Sequence, residues 1–269
     1  MGSKVGTMVD SPFGPPVPSV PLLRSPLSFV VARIQIPLVA SISQEYFVAD
    51  FQEQIRSAYP DLRKDLEQQF VIGPDGVQAQ KQGVVWRFTD DRSDWQVALG
   101  PEFLALASHG YTNRADFVGR FGDLAHALHR WIMPSKVRRL GVRYVDRVGP
   151  EHFERLHQMV RAEVLGPLTV DDPEHIELQH SLTDCQYAFD DGTALRARWG
   201  RVPAQATFDP VMEPLETPSW VLDLDASHDE RPFDPNKLRE QVQDFSDRIY
   251  RYFRWAMTDD FLTTFEAAT

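Results

Sequence analysis

The sequence holds one cysteine, Cys185, so no intrachain disulfide can staple it. Stability has to come from burial, and 269 residues with 42% hydrophobic side chains can build a sizeable core. A lone thiol fits a reducing compartment, and the expected location is the cytoplasm. Long apolar runs are missing too. The longest, around Phe29 to Ile36, is broken by Arg33 and Gln35 and falls well short of the roughly 18 residues of a membrane span. A membrane is therefore not among the expected partners. Residues 1–25 are rich in Pro, Ser and Val and lack the continuous apolar stretch of a secretion signal. They read as an extended or disordered arm, with Met1 to Ser3 reading as a cloning remnant. Basic excess is lacking as well. A net charge of −11 argues against broad, non-specific attraction to nucleic acid or anionic membrane, although a local basic groove remains compatible with it.

Local signatures of chemistry are equally scarce. There is no HExxH, no P-loop, no GxGxxG and no nucleophile elbow. No cofactor and no metal is expected. His126 and His129 are three apart on a helical stretch, but no further ligand type accompanies them. The acidic pairs Asp90-Asp91, Asp171-Asp172, Asp190-Asp191 and Asp259-Asp260 fall where turns and helix ends want aspartate. Cys185 reads as a small core residue.

What is present is periodicity. Val30, Ala32, Ile34 and Ile36 alternate with Arg33 and Gln35, the pattern of a half-buried strand. Phe47, Phe51, Ile55 and Ala58 follow at helical spacing, with Ser41 or Ser43 as the expected cap. Strands are expected at 69–72, 83–88, 95–99 and 103–107, the first ending in the turn Gly73-Pro-Asp-Gly76. A second helix, capped by Thr112 or Asn113, carries Phe117, Phe121, Leu124, Leu128 and Trp131. Then the order repeats. There is a strand over 140–148, a helix marked by Phe153, Leu156, Val160 and Val164, a hairpin over 180–202 and a proline-rich excursion over 203–218. A strand over 220–224 and a long helix starting at Asp234-Pro235 complete the second half.

The halves also share residues. Phe121, Trp131 and Met133 have the spacing of Phe245, Trp255 and Met257. Glu45 and Phe47 match Glu151 and Phe153, Gly83 and Arg87 match Gly192 and Arg196, Trp95 to Leu99 matches Trp220 to Leu224, and Ser108-His109 matches Ser227-His228. The fold class expected is α+β: a duplicated β-α-β-β-β-α unit, residues 26–136 and 137–269, joined in one structural domain. Its sheet would be mainly antiparallel with helices on one face, a plan shared with the TATA-binding-protein saddle and helix-grip folds. That likeness concerns architecture alone.

The strand Leu140-Gly-Val-Arg-Tyr-Val-Asp-Arg-Val148, preceded by a Trp-bearing helix and by the strand running from Ser25-Pro26 to Ile36, carries a family resemblance. It resembles a sporadically distributed family of uncharacterised bacterial proteins with an "LGLRYxNRI"-like strand at mid-chain. Asp146 stands where that pattern has Asn. The resemblance covers most of residues 26–265. It implies a bacterial protein with no established activity and the scattered occurrence of mobile or defence-linked genes.

If the apolar face of each strand meets the helices, Arg33, Arg87, Arg143, Arg147, Arg196 and Arg198 point the other way. Arginine suits bidentate binding of phosphate or carboxylate, so this face is a candidate trough for an anionic ligand or a nucleic acid segment. The competing expectation is that these arginines pair with Asp146, Asp184, Asp223 or Glu177. The functional reading is a non-catalytic binding or regulatory module for an anionic ligand, or for a protein partner met through the sheet face or the 203–218 excursion. The alternatives are an enzyme acting on a nucleotide or phosphorylated substrate, and an interaction protein of a toxin–antitoxin or phage-defence system.

Overall fold

The computed structural model describes residues 11–266 except 23, 74–75, 171–174 and 210–211, and within 67–82 it describes the backbone alone. Strand β1 (Leu27–Gln35) forms as its alternation requires: Val30, Ala32 and Ile34 are fully buried and Arg33 is exposed. A short 3-10 turn (Ala40–Ser43) leads into helix α1 (Glu45–Ile55). Ser41 and Ser43 lie inside that turn, and Gln44 precedes the helix without a side-chain cap, so neither expected serine cap forms.

Strands β2 (Asp61–Gly73), β3 (Gly76–Thr89), β4 (Trp95–Gly100) and β5 (Phe103–Ser108) follow. β2 is far longer than the stretch 69–72 expected for it. It is an edge strand, so its first half stays polar on both faces. Leu62 and Leu66 stand at a helical interval and are both exposed. Gly73 pairs with Gly76; Pro74 and Asp75 of the expected turn lie outside the described residues.

Helix α2 (Arg114–Trp131) is capped by Asn113, whose Oδ1 accepts from Asp116 N at 2.9 Å. Its stripe of Phe117, Phe121, Leu124 and Leu128 is buried. Strand β6 (Lys136–Val148) begins the second half. The single helix expected over 153–164 is instead three turns, α3 (Pro150–Phe153), α4 (Leu156–Met159) and α5 (Ala162–Leu165). The break has a cause. Val160 is extended and bridges Met257, Arg161 N donates to Ala256 O at 3.0 Å, and Thr258 N donates to Met159 O at 3.0 Å. Backbone groups committed to the chain leaving the last long helix are not free to close helical turns.

Strands β7 (Thr183–Ala188), β8 (Thr193–Val202) and β9 (Ser219–Pro232) lead to α6 (Pro235–Ala256). Asp234 caps α6 by accepting from Asn236 N at 3.0 Å and Lys237 N at 3.2 Å. A short helix unforeseen in the sequence, α7 (Asp259–Phe265), buries Phe261, Leu262 and Phe265. No helix among the described residues is long and apolar enough to cross a membrane.

All nine strands form one antiparallel sheet in the order β2-β3-β4-β5-β1-β6-β9-β8-β7. The first strand of each half therefore meets at the centre, with Val31 opposite Arg143 and Ala32 opposite Val142. The main core lies between one face of the sheet and α1, α2 and α6. A second, smaller cluster lies on the opposite face. There Phe29, Val145, Val202, Met212 and Val221 pack with Ala206 and Phe208, so the proline-rich excursion folds back over the sheet.

Counted outward from the central pair, Ser108 on β5 and Ser227 on β9 occupy equivalent strands. The other strand motifs do not. Gly83 and Arg87 are on β3 while Arg196 is on β8, with Gly192 in the turn before it; Trp95 to Leu99 is β4 while Trp220 to Leu224 is on β9. Each of these pairs is one strand out of step.

The arm opens with a turn over residues 12–15, where Gly14 N donates to Ser11 O at 3.3 Å, and 16–22 has no regular secondary structure. Phe13 packs edge-on against Tyr187 and Phe189. Arg251 Nη1 donates to Gly14 O at 2.8 Å, and Val20 N donates to Tyr250 Oη at 2.8 Å. Residues 1–10 lie outside the described residues.

Candidate functional site

The arginine face is largely satisfied from within. Arg143 Nε donates to Asp223 Oδ1 at 2.7 Å and its Nη2 to Asp209 Oδ2 at 2.8 Å. Arg198 pairs with the same two carboxylates, and its guanidinium lies 5.0 Å from the Phe208 ring centroid. Two arginines and two aspartates thus form a neutral cluster, with Asp209 and Phe208 supplied by the excursion. Burial disfavours the Arg143 charge, but the hydrogen bonds and charges of Asp223 and Asp209 outweigh it and raise its pKa above the ordinary value. Arg196 pairs with Asp184 (Nε–Oδ1 2.8 Å) and Arg87 with Asp65 (2.7 Å). The Arg33 guanidinium lies 4.1 Å from the Phe103 ring centroid. Arg147 donates to Ser219 Oγ at 2.9 Å and to Glu213 O. No described carboxylate pairs with it, its Nη2 is buried without a hydrogen bond, and burial lowers its pKa.

The six arginines share a face but not a single site. Arg87 on β3 is four strands from β6, about 19 Å at the usual strand spacing. Of the expected partners, Asp184 and Asp223 pair with members of the six, and Glu177 pairs with Arg201 at 2.7 Å. Asp146 pairs with none. It shares strand parity with Val142, Tyr144 and Val148, so it lies on the helix side of the sheet.

There it meets a cavity. A space of about 220 Å³ lies between the arm (Ser19 to Leu22, Ser25), the start of β1 (Leu27), the entry to α2 (Tyr111 to Arg114), β6 (Tyr144, Asp146) and α6 (Ser246, Ile249, Tyr250, Phe253). Asp146 is 5% exposed, and no described residue donates a hydrogen bond to its carboxylate. Burial, with a smaller contribution from the Asp223 charge across the sheet, pushes its pKa up to about 7. Three other polar groups of the wall are engaged. Tyr144 Oη donates to Ser246 Oγ at 3.3 Å, Ser246 Oγ donates to Val242 O at 2.8 Å, and Arg114 pairs with Asp247.

The cavity escaped the sequence reading, which placed Asp146 among the arginines. Its parity with Val142 and Tyr144 was the available signal: a carboxylate on the apolar side of a strand. The remaining candidates hold local roles. His126 and His129 are exposed on α2, and His129 stacks on Phe233. Asp191 accepts from Thr193 N at 2.9 Å in its turn, and Cys185 is half-buried against the core. Asp171 and Asp172 lie outside the described residues. Among the described residues no group of three or more His, Cys, Asp or Glu side chains is placed to hold a metal ion. Compared with known proteins, the chain matches no family model and no curated protein.

Proposed function

We propose that the chain is a non-catalytic binding module whose ligand seat is the cavity between the arm, α2, β6 and α6. One observation carries the reading: Asp146 is buried, lines that cavity and has no hydrogen-bond donor among the described residues. A buried carboxylate is costly unless something satisfies it, and a concave, mainly apolar pocket with one such group is the usual form of a small-molecule site. Binding without turnover fits the wall, because no histidine, cysteine or lysine is among its described residues. The test is native mass spectrometry of untagged protein purified at low salt. The expected result is a small adduct that is lost in Ile249→Phe, which fills the cavity; ligand-free protein that behaves as the variant does would count against the reading.

An anionic ligand at the opposite face is the second reading, favoured by Arg147 and its unbonded Nη2 beside the excursion. The expected result there is phosphate- or nucleotide-dependent stabilisation that disappears in Arg147→Gln. The family resemblance and the duplication complete the proposal. The duplication is supported by the central β1–β6 pairing, by the matched Ser108 and Ser227, and by the shared Phe-Trp-Met spacing of α2 and α6.

A further inference from the structure

We propose that the cavity takes a small organic amine, bound as its cation against the Asp146 carboxylate. The inference rests on the cavity reading above and adds the class of ligand to it.

The wall has an imbalance of donors and acceptors. Asp146 offers acceptor oxygens that no described residue uses. The hydroxyls of Tyr144 and Ser246 already donate elsewhere, and Tyr250 Oη accepts from Val20 N while pointing its own donor at Pro18 O. The missing partner is therefore an N–H or O–H donor brought by the ligand. Charge narrows the choice. An ionised carboxylate in a low-dielectric site is satisfied best by a positive charge. The rings of Tyr111, Tyr144, Tyr250 and Phe253 line the same space, and aromatic faces attract a cation.

The one cation among the described residues of the wall does not oppose this. Arg114 is paired with Asp247 of α6 and lies over the Tyr250 ring, 5.1 Å from its centroid. The other titratable groups facing Asp146 are Tyr111 and Tyr144, whose hydroxyls burial keeps protonated, and Asp223 of β9, which Arg143 and Arg198 compensate on the far face.

Size sets the scale. A cavity of about 150 Å³ holds benzene, so about 220 Å³ corresponds to roughly nine non-hydrogen atoms. An ammonium group on a short aromatic or branched aliphatic body fits that limit. The arm residues Val20, Pro21 and Leu22 would cover the apolar end, held by the Val20–Tyr250 hydrogen bond.

The experiment is calorimetry with three probes of matched size, phenethylamine, phenethyl alcohol and benzoate, on the full chain at about pH 8 and about pH 6.5. The amine is expected to bind at least tenfold more tightly than the alcohol, and the acid not at all. Near pH 6.5 its binding should release a proton, read as an enthalpy that changes with the buffer. Asp146→Asn should erase the preference for the amine over the alcohol. Alcohol or acid binding as tight as the amine overturns the amine assignment and leaves the cavity reading standing. Binding by none of the three, together with no adduct in the native spectrum, overturns both. The probe series on the unaltered chain decides the matter even if the variant folds poorly.

Discussion

Asp146 and Asp223 stand on paired strands, one register step apart, and face opposite sides of the same sheet: Val145 is opposite Asp223, and Asp146 is opposite Leu222. Both are almost fully buried. Asp223 has two arginines for company, while Asp146 has none. The same residue type thus experiences opposite electrostatics within one step of the ladder, because strand parity decides which side each carboxylate meets.

That contrast gives the first prediction. The Asp146 pKa is raised from 3.8 to about 7 in the folded chain. Between those values the folded protein holds a proton that the unfolded chain has lost, so stability falls as pH rises through that window. The loss is at most about 4 kcal/mol, at about 1.4 kcal/mol per unit. Asp146→Asn is expected to change the melting temperature little at about pH 4 and to raise it at about pH 8. Thermal melts across that range check this, and parallel curves for the two proteins would refute it.

Removing the Asp223 side chain should destabilise the fold. Its side chain is 1% exposed, and those of Arg143 and Arg198 are 15% and 16% exposed. Asp223→Ala leaves two nearly buried guanidinium groups sharing Asp209 alone. Removing one partner of a buried ionic group costs about 3 kcal/mol or more. Arg196→Ala breaks a pair whose members are 48% and 41% exposed, and solvent screening limits its cost to about 1 kcal/mol. Urea melts of the two variants measure the difference.

Much of the fold was legible in the sequence because its signals are local. Asn113 and Asp234 cap the helices expected of them, and the burial of Val30, Ala32 and Ile34 follows from alternation alone. What escaped depends on partners distant in the chain. The helix expected across Val160 breaks because Met257 competes for its backbone. β2 was shortened because an edge strand has no buried side to impose a period on Leu62 and Leu66. For the site, parity gave the shared face of the arginines. It could not show that Asp209, between 11 and 66 residues away from its partners, would return to pair with them.

Asp209 also anchors the excursion, which leads to a third prediction. The segment is held by that carboxylate, by the Arg147 bond to Glu213 O and by a small apolar patch around Met212 and Phe208. Asp209→Ala removes the carboxylate and leaves the other two. Protease cleavage within 203–218 is expected to accelerate severalfold while the rest of the chain remains resistant. Mapping the fragments by mass spectrometry checks this, and cleavage spread over the whole chain would show that the excursion is not a separable layer.

The arm supplies the last prediction. Tyr250 Oη accepts from Val20 N at 2.8 Å and donates toward Pro18 O at 3.3 Å, so one hydroxyl ties down both sides of Ser19. Tyr250→Phe keeps the ring that lines the cavity and removes both bonds. At about 1 kcal/mol each the two bonds contribute about 2 kcal/mol, which for opening of the arm alone corresponds to roughly thirtyfold faster amide exchange at Val20. Exchange in α6 should be unchanged, because the substituted ring still fills its place. If exchange at Val20 does not quicken, the arm is held by Phe13 against Tyr187 and Phe189 instead, and the hydroxyl has no share in closing the cavity.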